Sequence, residues 1–462
     1  MSSAVSVPEA GPDPAVVTDP ASTVAPVSAR VRVTPADLPL DSLDEVEVSW
    51  PDQFGHALGK RLPVDRFAQD AVGHGVTFCN GTLAWNVLAE VQEGSRYTNW
   101  GTGYPDAFAV PDLSTFRLLP WRDRVGHVVA DVVDHDRRPA RTSPRAVLRR
   151  VLDHLAETGY TAQVGVELEF YLLRPDGTLP QDGVHCYSLE KANELEPALG
   201  TIIEQLRRFV PVEAANTEYG PGQVEVNLRH ADALTAADDA FRLKYAVREL
   251  ARREGLLATF MAKPFSGLSG SSSHLHVSLW QDGRPAFAPE EGAEAATARH
   301  AVAGLLGHLP GITLFGAPTV NSYKRYEAAS FAPTSASWGG DNRTVAVRSL
   351  VESPAASRVE LRTPAADANP YWTIAAALAA VSLGVRTATE PPQRASGDQY
   401  GVGTPLPATL PDAIAATLAD EPLGAVLGED AVHDLAVLAR SEWTAYTTEV
   451  TQWERDRYLR RA

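Results

Sequence analysis

Hydrophobic and polar positions change period along the chain. Between about Val31 and Asp136, short runs of strand formers (VEVSW, GVTF, TFRLLP and GHVVADVV) are broken by Gly, Pro and Asn, which predicts a small β-rich unit. At HDRRPARTSPRAVLRRVLDHLAETG the period becomes helical. Ser143 stands at the cap, Pro144 at the first helical position, and Val147, Leu148, Val151 and Leu155 recur on one face. Beyond this helix, strands over 164–172, 274–280 and 358–363 alternate with helices over 232–254, 371–382 and 429–458. No internal repeat interrupts this order. The class is α+β, with a tail over 1–30, an N-terminal domain over 31–140 and a larger domain over 141–462.

Residues 1–30, rich in Ala, Pro, Ser and Val without periodicity, read as disordered. They lack a basic start and a sustained apolar run, so they do not read as a signal peptide. The longest apolar run, IAAALAAVSLGV from Ile374, is too short to span a bilayer, and the expected compartment is the cytoplasm. A chain of 462 residues, 44% hydrophobic, can bury a large core. Its net charge of -17 argues against nucleic acid or an anionic membrane as partner. Cys79 and Cys186 cannot build a disulfide framework or a thiolate metal site, and both are expected as small buried hydrophobes.

Chemistry concentrates in a few segments. In VGVELEFYLL, Glu167 and Glu169 share one strand face, as a solvated edge or as a pair needing a cation. In NTEYGPGQVEVNL, Glu218 and Glu225 flank Gly220-Pro221-Gly222, a turn that breaks the register and can return both acids to one side. His274 and His276 follow a Gly-Ser loop and share a face opposite Leu275, Val277 and Leu279. That loop's backbone N–H groups could cradle an anion, while either imidazole could equally be structural. In SRVELRTPAADANPYW, Arg358, Glu360 and Arg362 alternate with Val359 and Leu361, as an ion-pair ladder or as a metal-and-phosphate face. Lys324, Arg325, Arg343 and Arg348 add cations around AASFAP. Carboxylates with a single imidazole favour Mg²⁺ or Mn²⁺ over Zn²⁺, and the Arg set favours a phosphoryl group.

In this order, ELE, EYGPGQVE, the Gly-Ser loop with HxH, NSYKR, DNRT and RVELR with NPYW resemble the glutamine synthetase family across roughly residues 40 to 460. The resemblance implies an N-terminal β-grasp domain, a catalytic domain with a curved antiparallel sheet, and two stacked hexameric rings with active sites between subunits. It also implies ATP and two or more Mg²⁺ or Mn²⁺ ions per site, L-glutamate as substrate, and a γ-glutamyl phosphate intermediate that an amine then displaces.

Carried over by position, Glu169, Glu218 and Glu225 match the ligands of one metal, and Glu167, His274 and Glu360 those of the second. Glu213, His276, Ser278 and Arg358 match nucleotide-contacting positions. Arg325 and Arg362 match residues holding glutamate carboxylates, and Arg343 and Arg348 those at the transferred phosphate. Gly270 matches the loop glycine beside the bound amino acid, although the Asn expected before it is Ser269.

Two positions depart from the ammonia-using pattern. The flap Glu that takes a proton from ammonium is Phe331 here, and Asn80 stands where the adjacent subunit would supply an Asp. The chain therefore looks most similar to the γ-glutamyl-amine ligases of the family, which use ethanolamine, polyamines or other primary amines. Two competing readings are ammonia use restored by Glu327 and a non-catalytic structural relative. The latter should have lost metal ligands, and all six positions are filled.

Overall fold

The computed structural model describes residues 33–289, 294–351 and 353–462. The tail over 1–30 lies outside the described residues. Alternation in the N-terminal third builds one sheet, ordered Ala57–Pro63, Glu45–Pro51, Val125–Val133, Asp106–Pro111 and Val76–Cys79. Glu45–Pro51 runs parallel to Val125–Val133 and antiparallel to its hairpin partner. Val46, Val48, Phe67, Val128 and Val132 are inward-facing and buried. Such a side chain contributes about 1.5–3 kcal/mol on burial.

The TFRLLP run forms only the short strand Arg117–Leu118, because Asp112 accepts a hydrogen bond from the Ser114 N–H and turns 113–115 into a 3₁₀ helix. The same strand periodicity leaves Cys79 outward and exposed, while Cys186 sits half-buried on a loop. Neither cysteine is the buried hydrophobe expected.

The larger sheet runs Trp338–Gly339, Val347–Leu350, Arg358–Leu361, Ser273–Gln281, Thr161–Leu173, Gln223–Asp232 and Val212–Thr217. Its pairings are antiparallel except for the first two strands, which run parallel. Apolar residues of one face, including Val164, Val166, Val277 and Val359, join the principal core with helices Pro144–Ala156, Ala233–Arg253, Ala296–Gly316 and Pro370–Thr387. The other face is free to carry polar groups. Helix Pro144–Ala156 begins as predicted, with Pro144 at its first position, but the Ser143 hydroxyl is buried and makes no capping bond.

Helix Pro370–Thr387 holds the apolar Ile374 run inside the core. Among the described residues, no helix is long and apolar enough to cross a membrane. The predicted helix over 429–458 is two, Glu429–Thr448 and Gln452–Tyr458. Thr451 and Glu454 form a reciprocal capping box that starts the second afresh.

Candidate active site

Strand register gathers the chemistry onto the polar face of the large sheet. Glu167 lies opposite His274 on one side and Asn227 on the other. Glu169 lies directly opposite Glu225, and Glu360 opposite both His276 and Arg348. Side chains of one parity therefore converge from five strands, as the alternation of each run requires. Glu218 reaches the same side through the Gly220-Pro221-Gly222 turn. Pro221 and a Gly222 at φ +78° suit a type II turn closed by the Gln223 N–H on the Gly220 carbonyl at 2.9 Å.

Glu167, Glu169, Glu218, Glu225, Asn227, His274 and Glu360 line one cavity of about 560 Å³, which also takes in Gly270, Arg325, Phe331, Arg343, Arg348 and Arg362. Glu167, His274 and Glu360 each present a ligand atom within 4.8 Å of the others, the cluster of this kind found among the described residues. His274 Nδ1 lies 3.2 Å from Glu167, and His276 Nε2 lies 2.9 Å from it. Burial alone would raise the Glu167 carboxyl, but hydrogen bonds and charge from the two imidazoles hold it well below the usual range. Glu360 is buried, and His274, Arg362, His276 and Arg348 overcome that burial to keep it low too. Arg348 and Arg362 donate to its two oxygens at 2.5 and 2.6 Å.

The second acid set behaves oppositely. Glu169 accepts hydrogen bonds from the Ser272 N–H and hydroxyl and from Gln223. Burial, reinforced by Glu169, pushes Glu218 up to about 7; burial, with Glu167, Glu169 and Glu218 behind it, pushes Glu225 up to about 9. Like charges facing one another across a strand pair repel, so these carboxylates lack the counter-charge that His274 and the arginines give the first set. Their all-oxygen donors, and the mixed oxygen–imidazole donors of the first set, fit a hard divalent cation.

On the opposite side of Glu167, Glu213, His276, Ser278 and Arg358 line a second cavity of about 480 Å³. Arg358 Nε donates to His276 Nδ1 at 3.2 Å, which directs Nε2 toward Glu167. Arg325 is buried, its guanidinium donating to the Thr363 and Arg362 carbonyls at 2.9 and 3.1 Å. Gly270 sits against it: a Cβ there would come within 2.6 Å of Arg325 Cγ and 2.8 Å of the Ala262 carbonyl oxygen. The Arg343 side chain is exposed at the cavity mouth, 3.8 Å from Asp341.

Phe331 faces the cavity where the sequence places it, with Tyr219 stacked on its ring. Glu327 is turned away, paired with Lys263 at 2.9 Å, and does not line the cavity. Asn80 is buried in the N-terminal sheet region, accepting a hydrogen bond from Thr98 at 2.5 Å, and is apart from the cavity of its own chain. Sequence reasoning missed Gln223, Ser272, Asn227 and Tyr219. Gln223 and Asn227 share the parity of Glu225, which was the available signal; Ser272 had none beyond its place in the Gly-Ser loop.

An acid–imidazole cluster bordered by four guanidinium groups, with a second cavity beyond it, has the charge and donors that suit a phosphoryl group. Residues 141–458 match the family described as glutamine synthetase, catalytic domain. The chain belongs to the glutamine synthetase family, whose members are ligases that generally use ATP and divalent metals.

It is 34% identical to a glutamate–isopropylamine ligase of Pseudomonas sp., over 90% of this chain and 95% of that one. It is 36% identical to the γ-glutamylethanolamide synthetase GlnA4 of Streptomyces coelicolor, over 91% and 93%. A solved GmaS/ADP complex superposes with a TM-score of 0.81 at 34% identity, over 90% of this chain and 97% of that one. Proteins named simply glutamine synthetase are also among its relatives.

Proposed function

We propose that this chain is an ATP-dependent ligase that joins the γ-carboxyl of L-glutamate to a primary amine, releasing ADP and phosphate. The observation that carries the reading is the cavity itself: it unites the Glu/His sets with Arg325, Arg343, Arg348 and Arg362, yet places the neutral ring of Phe331 at the flap. The relatives named for isopropylamine and ethanolamide support an acceptor larger than ammonia.

In this reading Arg325 and Arg362 hold the glutamate carboxylates, with Gly270 leaving room for the amino acid. Glu213, His276, Ser278 and Arg358 hold ATP in the adjoining cavity. The γ-carboxylate attacks the terminal phosphoryl group, ADP leaves, and Arg343 and Arg348 neutralise the charge that develops on the phosphoryl oxygens. The neutral amine then attacks the γ-carbonyl carbon, phosphate departs and the nitrogen gives up a proton. Divalent cations held by Glu167, His274 and Glu360, and by Glu169, Glu218 and Glu225, would supply further charge neutralisation.

Glu327 offers no substitute for the absent flap carboxylate while Lys263 holds it. The second metal, the cytoplasmic compartment and assembly into two hexameric rings, with Asn80 facing a neighbour's cavity, belong to the same proposal. An amine panel decides it. With glutamate, ATP and Mg²⁺, phosphate release should saturate with ethanolamine or an alkylamine at concentrations where ammonium gives little, and saturable glutamine synthesis at low ammonium would overturn the acceptor assignment.

A further inference from the structure

We propose that Tyr219 acts with Phe331 as a stacked aromatic wall that reads the carbon chain of the acceptor, and that this acceptor is a short monoamine with an uncharged chain; the inference rests on the amine-ligase reading above. The two rings lie 5.8 Å apart between centroids at an interplanar angle of 30°. Both line the catalytic cavity, and each residue is 43% exposed although its neighbours there are mostly ionic or polar. Stacked, part-exposed aromatic faces gain from contact with an alkyl chain, which releases the water covering them.

Both rings are mounted on fixed backbone. Phe331 has φ +59° and Ala329 φ +61°, the left-handed region that side-chain-bearing residues seldom adopt. Arg362 holds this conformation by donating to the Phe331 carbonyl at 3.4 Å, and the Ser330 hydroxyl donates to the Arg325 carbonyl at 3.2 Å. The two tethering residues are themselves cavity arginines, so the ring is set relative to the reaction centre. Tyr219 stands between Glu218 and the Gly-Pro-Gly turn, where Glu218 N–H donates to the Gln223 carbonyl and Gly220 N–H to its side chain, both at 2.9 Å. A wall ordered before the acceptor arrives loses little freedom on binding it.

Charge narrows the class further. The carboxylates lining this cavity are Glu167, Glu169, Glu218, Glu225 and Glu360, and all five belong to the two candidate cation sets. A diamine would bring a second ammonium into a cavity whose five lining carboxylates already serve the cation sets, with Cys186 itself 4.0 Å from Glu218. Aromatic faces do attract cations, but half-wet rings recover little of an ammonium's hydration.

The test is steady-state phosphate release with glutamate and Mg-ATP, at varied ammonium, propylamine and putrescine, for wild type, Tyr219→Ala, Tyr219→Phe and Phe331→Ala. Tyr219→Ala should raise the KM for propylamine about tenfold relative to that for ammonium, with the glutamate KM retained. Tyr219→Phe, which keeps the ring, should restore the discrimination. Phe331→Ala should repeat the selective loss from the other side of the stack, and an ADP-induced rise in Tm checks that each variant is folded. Equal changes for propylamine and ammonium, or a wild-type preference for putrescine, would overturn the inference while leaving an amine ligase standing. Wild type that turns over ammonium and no alkylamine would remove the amine-ligase reading, and this inference with it.

Discussion

A phenyl ring at position 331 can neither take a proton from ammonium nor hold it by charge. Phe331→Glu should therefore raise kcat/KM for ammonium relative to an alkylamine by about tenfold or more. Parallel assays with the two acceptors measure that ratio, and an unchanged value would sink the role given to the ring. The acids make a second prediction. In the unfolded chain Glu218 and Glu225 ionise near the ordinary 4.5, whereas in the fold they rise to about 7 and about 9. The stability they contribute is full below the unfolded value and is lost as pH climbs through the folded ones. The metal-free protein should lose Tm between about pH 6 and about pH 9, and Mg²⁺ should stabilise it more at the upper end because a bound cation replaces the protons. Melting curves with EDTA and with Mg²⁺ at both pH values test this; no difference would count against a cation site. Single residues were legible where type and parity both spoke, as for Glu167, His274 and Glu360. Tyr219 was not, since nothing in a linear pattern says that a ring beside a turn will meet another 112 positions later.

Elements were legible where their period was long and unbroken. Thr161–Leu173, Ser273–Gln281 and Ala233–Arg253 fall within a few residues of expectation, because burial on one face enforces the alternation or the 3.6-residue repeat. Local chemistry overrode periodicity elsewhere: the Thr451–Glu454 capping box split one expected helix, and the Asp112 turn shortened a strand. The packing of helix Ala296–Gly316 against Pro370–Thr387 was invisible in the pattern, since both are apolar nearly all round. Two glycines set that approach. A Cβ on Gly384 would lie 2.2 Å from the His300 carbonyl oxygen, and one on Gly304 at 2.2 Å from that of Ala380. Both obstacles are backbone, so neither side can yield cheaply. Gly384→Ala should destabilise by about 1–3 kcal/mol even though alanine is the better helix former. Urea denaturation measures it, and a neutral or stabilising result would mean that the helices separate freely.

At the scale of the molecule, the order of motifs located the polar face, but the joint between the two sheets was unreadable, because its charges look like ordinary surface residues in sequence. Arg145, fully buried on helix Pro144–Ala156, reaches Asp131 on the N-terminal sheet and donates to both oxygens of Asp238 on helix Ala233–Arg253 at 2.9 and 2.8 Å. Tyr371 donates its hydroxyl to the same Asp238 at 2.6 Å, bringing helix Pro370–Thr387 into the joint. Burial opposes ionisation of Asp238, and Arg145 reverses that, holding the carboxyl below its ordinary range. Removing the guanidinium leaves Asp238 hydrogen-bonded to the neutral Tyr371 hydroxyl, with only the charge of Arg242, to which it makes no hydrogen bond, in partial compensation, while Asp131 keeps Arg149. Arg145→Ala should cost about 3–5 kcal/mol, far more than loss of an exposed pair such as Arg208–Glu204. Adding Asp238→Ala should recover part of that loss, because the stranded charge goes with it. Neither residue lines the catalytic cavity, so wild-type-like KM values for glutamate are expected wherever the variants remain folded. A double variant no more stable than Arg145→Ala alone would show that packing, rather than the unpaired acid, governs how the two sheets are held together.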